Sequence, residues 1–327
     1  MRKVRISGTG SYLPEKRLTN ADLAKLVATD DDWIVKRTGM RERRVAAPDQ
    51  ATSDLAYEAS RRAIESAGLC AKDIDLIIVA TVTPDTVFPS TACRVQHKLG
   101  ARTVPCFDLA AACSGFIYSV GLAQTQIAAG LAEHALIIGA EVLTRFTDYQ
   151  DRGTCILFGD GAGAAVLSPS ADGQGHILDL KMAADGAGAD IMIIPGSGSL
   201  NPPSLQTLEK RLHFIRLEGR AVFKQAVSTI VEQVEQSLTR CGLTRDDIDL
   251  IIPHQMNARI IESAAKHLDI PMEKVFVNLD KYGNTSAATI PIALDEACRQ
   301  GRVKKGDLLS LVAFGGGLTW ASALIRW

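Results

Sequence analysis

Between residues 220 and 240 the apolar positions return every third or fourth residue: Val222, Phe223, Ala226, Val227, Ile230, Val231, Val234 and Leu238. That is one stripe of an amphipathic helix. The same spacing predicts helices over 53–67, 114–129, 258–268 and 288–299. Between them lie short apolar runs of strand length at 75–82, 103–108, 134–139, 164–167, 249–252, 274–277 and 307–313. The opening residues, with charges at Arg2, Lys3 and Arg5, read as a further strand and not as a secretory leader. Gly68 and Gly242 stand where helix-ending glycines belong. The alternation predicts an α/β fold with mixed sheets. Segment 185–206, rich in Gly, Ser and Pro, reads as a long surface loop or lid.

One phrase occurs twice. Residues 68–78, ending Asp73-Ile74-Asp75-Leu76-Ile77-Ile78, are answered 174 residues later (68 to 242) by 242–252, ending Asp247-Ile248-Asp249-Leu250-Ile251-Ile252. A looser echo relates 129–138 to 300–309, with one inserted residue. A period this long is no solenoid repeat. It implies two related halves about a pseudo-twofold axis, 1–172 and 173–327, divided near the turn formers at 168–173. Equivalent loops should meet near that axis, so chemistry is expected where matching segments carry unlike reactive residues.

Composition changes little in this picture. The 327 residues are 46% hydrophobic and 22% charged, with a formal net charge of −1, which gives no global field for nucleic acid or anionic membrane. No apolar run is long enough to span a bilayer. Seven scattered cysteines, an odd number, read as reduced thiols in a cytoplasmic protein. No CxxC or HxxxH spacing suggests a metal site.

Three residues stand out chemically. Cys113, in Ala112-Cys113-Ser114-Gly115-Phe116, lies where a strand runs through small residues into a helix. The helix N-terminus would favour a thiolate there, although a buried structural cysteine is the alternative. His254 follows the second copy of the repeated strand, and the first copy has no histidine at that place. It is a candidate acid, base or hydrogen-bond donor, or else a satisfied structural histidine. Asn284, in Tyr282-Gly283-Asn284-Thr285-Ser286, precedes the helix equivalent to the one after Cys113, with 108–109 aligned on 278–279. It is a plain N-cap or a partner for Cys113 across the axis. Gly159–Gly163 and Gly315–Gly317 lead into strand-like residues, so neither is a phosphate loop; either could bring backbone N–H groups to a substrate oxygen.

Cys113 with its Ser-Gly-Phe sequel, His254 in His-Gln-x-Asn-x-Arg, and Asn284 in Tyr-Gly-Asn-Thr-Ser-Ala together resemble β-ketoacyl-[acyl-carrier-protein] synthase III. The resemblance runs the length of the chain, from Ser7–Pro14 to Phe314–Gly317. It implies a thiolase fold, with two pseudo-symmetric halves in a five-layered αβαβα arrangement, assembled as a homodimer and needing no cofactor. It implies a decarboxylative condensation of an acyl-CoA primer, acetyl-CoA first among candidates, with malonyl-[acyl-carrier protein], the step that initiates type II fatty acid synthesis. Cys113 would take the acyl group, with the N–H groups of Cys113 and Gly316 as oxyanion hole. His254 and Asn284 would stabilise the malonyl-derived enolate. CoA contacts carry over to Trp33, Arg37, Thr38, Arg152, Phe223 and Asn257, and Phe88 is similar to the residue that enters the partner subunit's acyl pocket. For docking of the acidic carrier protein, Arg220 and Lys224 share one helix face and Arg259 and Lys266 another. Met256 and Arg220 depart from residues common in the family near the expected CoA entrance. Asn284 speaks against elongating synthases, which use two histidines. A starter synthase of a secondary-metabolite pathway and, from another class, a thiol hydrolase are the competing readings.

Overall fold

The computed structural model describes residues 2–170 and 175–327; the expected division between residues 172 and 173 lies outside the described residues. The first sheet contains β1 (Val4–Tyr12), β2 (Leu76–Ala80), β3 (Cys106–Leu109), β4 (Ala135–Val142) and β5 (Asp160–Pro169), in the spatial order β1-β5-β4-β2-β3. The second contains β6 (His176–Ala184), β7 (Leu250–Pro253), β8 (Leu308–Gly315) and β9 (Thr319–Arg326), in the order β7-β8-β9-β6. The two sheets repeat one plan. In each, a parallel pair (β2 with β4, β7 with β8) is extended by two antiparallel partners. Even the register is shared: Ile77 faces Leu136, and 174 residues on, Ile251 faces Ser310.

The long helices are α1 (Asp31–Thr38), α2 (Thr52–Ser66), α3 (Thr91–Leu99), α4 (Gly115–Ala128), α5 (Gly219–Cys241), α6 (Ala258–His267) and α7 (Thr289–Arg299). Helices α2 and α3 cover the outer face of the first sheet, where Leu55, Ala59 and Ala63 pack on Ile77, Val79 and Ile138. Helices α5 and α6 cover the outer face of the second, where Val222, Ile230 and Ile261 pack with Ile251 and Val312. Between the sheets lie α4 and α7, whose Phe116, Ile117, Val120, Ile290 and Leu294 join the inner residues of both in one core. Each such side chain contributes about 1.5–3 kcal/mol by leaving water. The result is the five-layered αβαβα thiolase arrangement. Helix α4 is apolar nearly all round because it is walled in on both sides.

Two predicted elements differ. Residues 274–277 make a single bridge, Val275 to Ile251, in place of a strand. The side chain of Gln255 takes the Asn278 N–H (3.0 Å) and turns the chain away from the sheet edge. Segment 185–206 is no free lid. Asp185 exchanges two backbone hydrogen bonds with Leu318 (both 2.9 Å), a short turn spans Gly186–Ile191, and Met192–Ile193 pairs with Arg216–Leu217.

Candidate active site

Each central helix begins in a tight turn bearing the same backbone strain. Ala112 (φ 45°) opens the turn Ala112–Ser114 before α4, and Ser286 (φ 47°) opens Ser286–Ala288 before α7. Their separation, 112 to 286, is again 174 residues. A left-handed φ at a non-glycine residue costs on the order of 1–3 kcal/mol and persists where surrounding packing enforces it. That packing is visible. A Cβ on Gly139 would lie 2.2 Å from Ala287 O, and one on Gly315 would lie 2.7 Å from Cys113 N. Each turn therefore sits on the central strand of the opposite half, and the two turns touch. The expected alignment of 108–109 with 278–279 is corrected by this frame. Residues 108–109 end β3, whereas Leu279 begins a short helix; Cys113 is equivalent to Ala287, and Asn284 lies on the approach to the second turn.

Cys113 is buried and opens into a cavity of ≈ 230 Å³, shared with Gly316 and Ser286 and walled by Val82, Leu143, Phe158, Met192, Ile193, Ile194 and Ile215. Seven of those linings are apolar side chains drawn from five separate segments. Burial pushes the thiol up to about 12; the Ser286 hydroxyl and the N–H groups of Cys113 and Gly316 pull the other way without offsetting it. Burial and the helix start thus act on the thiol in opposite directions. The Gly316 turn is fixed by Thr319, whose Oγ1 lies 2.9 Å from Ala111 O and 3.1 Å from Gly316 O.

His254 leaves the end of β7, its N–H held by Val312 O at 2.8 Å. It is 1% exposed, and burial lowers its pKa to about 3, so the ring is neutral at ordinary pH. Its Nδ1 lies 2.7 Å from Thr289 Oγ1, which also lies 3.0 Å from Ser286 O. Asn284 is clamped by its backbone, N–H to Leu157 O (2.9 Å) and O from Gly159 N–H (3.0 Å). Its Oδ1 accepts the Ser286 N–H at 2.8 Å, which leaves the amide N–H groups as donors. Both side chains are thus fixed to the turn that carries Ser286, and Ser286 shares the cavity of Cys113. Ser286, Thr289 and the cavity walls were not singled out from the sequence, because none belongs to a motif of its own.

The remaining candidates lie apart from this cavity. Trp33 has Arg152 stacked 3.7 Å from its ring centre and Arg37 at 4.9 Å. Asn257 caps α6 and reaches Arg37 O at 3.2 Å, while Arg259 lies 5.7 Å from the Phe223 ring. Thr38 does not join that surface: it is 1% exposed, with its hydroxyl given to Ile34 O and accepting from Met40 N–H. Met256, expected near an entrance, is buried in the core between α5, α6 and the second sheet. Arg220, Lys224, Arg259 and Lys266 are all exposed on α5 and α6, which pack together. Val87 and Phe88 are 90% and 85% exposed.

Two segments match known families: residues 107–186 match 3-oxoacyl-[acyl-carrier-protein (ACP)] synthase III, and residues 238–327 match its C-terminal region. The chain is 56% identical over 322 residues to the β-ketoacyl-[acyl-carrier-protein] synthase III of Caldanaerobacter subterraneus subsp. tengcongensis, covering 98% of this chain and 97% of that one. It is 52% identical over 328 residues to the protein of that name from Desulfitobacterium hafniense, covering 100% and 98%. The crystal structure of 3-oxoacyl-[acyl-carrier-protein] synthase III from Aquifex aeolicus superposes with a TM-score of 0.92 at 47% identity, covering 99% and 100%.

Proposed function

The chain belongs to the 3-oxoacyl-[acyl-carrier-protein] synthase III family, and from that premise we propose how its residues divide the reaction. It is a condensing acyltransferase that joins an acyl-CoA to malonyl-[acyl-carrier protein] and so initiates fatty acid synthesis. Cys113 attacks the acyl thioester, and the N–H groups of Cys113 and Gly316 receive the oxyanion. The apolar cavity takes the acyl chain. Malonyl-carrier protein then loses carbon dioxide, and the enolate oxygen is held by the Asn284 amide and by His254 Nε2–H. For Nε2 to carry the proton, Nδ1 must accept one, and the Thr289 hydroxyl 2.7 Å away can give it by turning its single hydrogen from Ser286 O to the ring. The enolate attacks the acyl-Cys113, and 3-oxoacyl-carrier protein leaves. The observation that carries this reading is the buried thiol facing an apolar cavity, with a neutral imidazole and a pinned amide tied to the adjoining turn.

Trp33 between Arg37 and Arg152 suits the adenine of CoA: the Arg152 guanidinium now covers a face on which a purine can stack. Asn257, bonded to Arg37 O, adjoins this surface, and Phe223, beside Arg259, is assigned a further CoA contact. The exposed Val87–Phe88 pair supports a homodimer in which Phe88 reaches the partner's acyl pocket. No helix among the described residues is long and apolar enough to cross a membrane. A cytoplasmic location is proposed from the family's part in fatty acid synthesis. Incubation with mixed acyl-CoAs followed by mass spectrometry tests the assignment. The expected result is an acyl mass on the Cys113 peptide and carbon dioxide release from malonyl-carrier protein. An unmodified Cys113, or hydrolysis with no carbon dioxide, would overturn it.

Docking of the acidic carrier protein falls to Arg220, Lys224, Arg259 and Lys266. Arg259→Glu is expected to raise the KM for malonyl-carrier protein several-fold while affecting acylation by acyl-CoA much less. The wild-type KM should climb with salt, because exposed charges are screened beyond about 10 Å at 0.1 M. Steady-state assays with malonyl-carrier protein and malonyl-CoA check this. An equal effect on both malonyl donors would mean damage to the site itself and refute the docking role.

A further inference from the structure

One arginine is fully buried against neutral acceptors. Arg43 lies on the strand Glu42–Val45, which pairs with Lys16–Thr19. Its guanidinium donates to Asn20 Oδ1 (2.6 Å) and to Ile156 O, and neither acceptor is a carboxylate. A buried cation held this way is costly to keep. What it holds gives the reason. Its stem lies between the two segments that clamp Asn284. A Cβ on Gly159 would lie 3.0 Å from Arg43 Cβ, and one on Gly283 would lie 3.3 Å from the same atom and 3.7 Å from Arg43 Cγ. These two glycines flank the clamp. The Gly159 N–H bonds Asn284 O (3.0 Å), the Asn284 N–H bonds Leu157 O (2.9 Å), and Phe158 bridges to Asn284 between them. Ile156 O, taken by the guanidinium, is the carbonyl just before that of Leu157. The far side of the fork is anchored, because Asn20 Nδ2 bonds Asp31 Oδ1 (2.8 Å) and Met40 O (2.9 Å). The strand is also tied to the loop that leads to Asn284: the Arg41 N–H bonds Asp280 O (3.0 Å), and the Arg44 guanidinium lies 5.8 Å from the Tyr282 ring centre.

We propose that Arg43 is a positioning residue for the enolate-forming half of the reaction: its fork and stem hold segments 156–159 and 282–284 in register and so aim the Asn284 amide at the oxygen that gains charge. The proposal rests on the enolate role given to Asn284 above. Arginine suits the task because its rigid plane presents separate N–H groups to two acceptors at once. A lysine ammonium is a point charge on a flexible stem and fixes no such angle. Capture of acyl-CoA is secured elsewhere. The loop that bears Arg152 is held by Asp151, whose carboxylate takes Thr154 Oγ1 (2.7 Å) and whose carbonyl takes the Cys155 N–H (3.0 Å). The same loop is tied to Arg211 through Asp148 (2.5 and 3.0 Å). Cys113 sits on the other turn, packed on Gly315 and not on Arg43. Loss of Arg43 should therefore separate the two half-reactions.

The test is Arg43→Met, which keeps an unbranched stem and removes the fork, with melting temperature as a check on folding. Two rates are read in one preparation: carbon dioxide release from malonyl-carrier protein, and mass gained on Cys113 from acetyl-CoA. Decarboxylation should fall about ten- to a hundred-fold, the scale set by displacing a reacting group by about 1 Å, while acylation stays within about two-fold of wild type. Arg43→Lys, which keeps the charge and the stem, should fall between the two, and it carries the same comparison if the methionine variant does not fold. Arg43→Met combined with Asn284→Ala should decarboxylate no more slowly than Asn284→Ala alone, since residues that act through one another do not add. Equal losses in both half-reactions, additive losses in the double variant, or normal decarboxylation in a folded Arg43→Met protein would each overturn the proposal. An Asn284→Ala protein that decarboxylates normally would instead fail the enolate reading of Asn284 itself.

Discussion

Cys113→Ala is expected to abolish acyl transfer and condensation while leaving carbon dioxide release from malonyl-[acyl-carrier protein] measurable. In the proposed division of labour the thiol accepts the acyl group; the cavity walls are otherwise apolar or backbone, save for the Ser286 hydroxyl, a weaker nucleophile than a thiol. Decarboxylation needs only that the thioester oxygen be held as it gains charge, and the groups given that task are anchored elsewhere. Asn284 is clamped by Leu157 and Gly159, and His254 by Val312 and Thr289. Removal of the sulfur should not collapse the turn, because Ala287 already fills the equivalent place in the second turn. Conversion of malonyl-carrier protein to acetyl-carrier protein, followed by mass spectrometry with no acyl-CoA present, is the measurement. If Cys113→Ala formed labelled 3-oxoacyl product, or lost decarboxylation while staying folded, the division of labour would be wrong.

The repeat at 68–78 and 242–252 made much of the fold readable before any coordinates. It marks a helix end, a turn and a buried strand twice, and both copies adopt the same conformation, with Gly68 (φ 69°) and Gly242 (φ 66°) ending helices and Asp73 and Asp247 capping the turns that follow. The five helices with wide apolar stripes were legible for the same reason: burial on one face writes a period into the chain. Helix α3 was not. Only Thr91, Ala92 and Val95 are buried, and its first N–H groups are capped by Asp108, sixteen and seventeen residues away, so no local signal announces it. Strand β6 was hidden likewise, since it lies at a sheet edge with mixed exposure. Within the candidate site, Cys113, His254 and Asn284 drew notice because reactive side chains at element ends are visible one at a time. Ser286 did not, because its meaning lies in which strand end meets which turn across the pseudo-twofold axis. The cavity walls come from distant segments for the same reason.

His254→Ala is expected to show the complementary defect: Cys113 still becomes acylated, and condensation falls by on the order of 10²–10³, the cost of removing one preorganised donor from an oxyanion site. The donor here works as a neutral group. Burial holds the His254 pKa to about 3, far below the ordinary histidine range, so the ring carries no charge at the pH of assay. Its contribution should therefore be flat with pH above about 4, and any loss of condensation as pH falls through neutrality must come from another group. Asn284→Asp sharpens the test. The aspartate keeps the size of the amide, and its Oδ1 can still receive the Ser286 N–H, but a carboxylate replaces the free amide donors with an acceptor. An enolate would then face negative charge, and the loss should equal or exceed that of His254→Ala. Acylation by acyl-CoA, measured as mass on Cys113, should persist in both variants, because the N–H groups of Cys113 and Gly316 proposed for the first oxyanion are backbone. The decisive comparison is acylation against decarboxylation in the same preparation. A folded His254→Ala protein that decarboxylates normally but cannot be acylated would assign the imidazole to the thiol and take it away from the enolate.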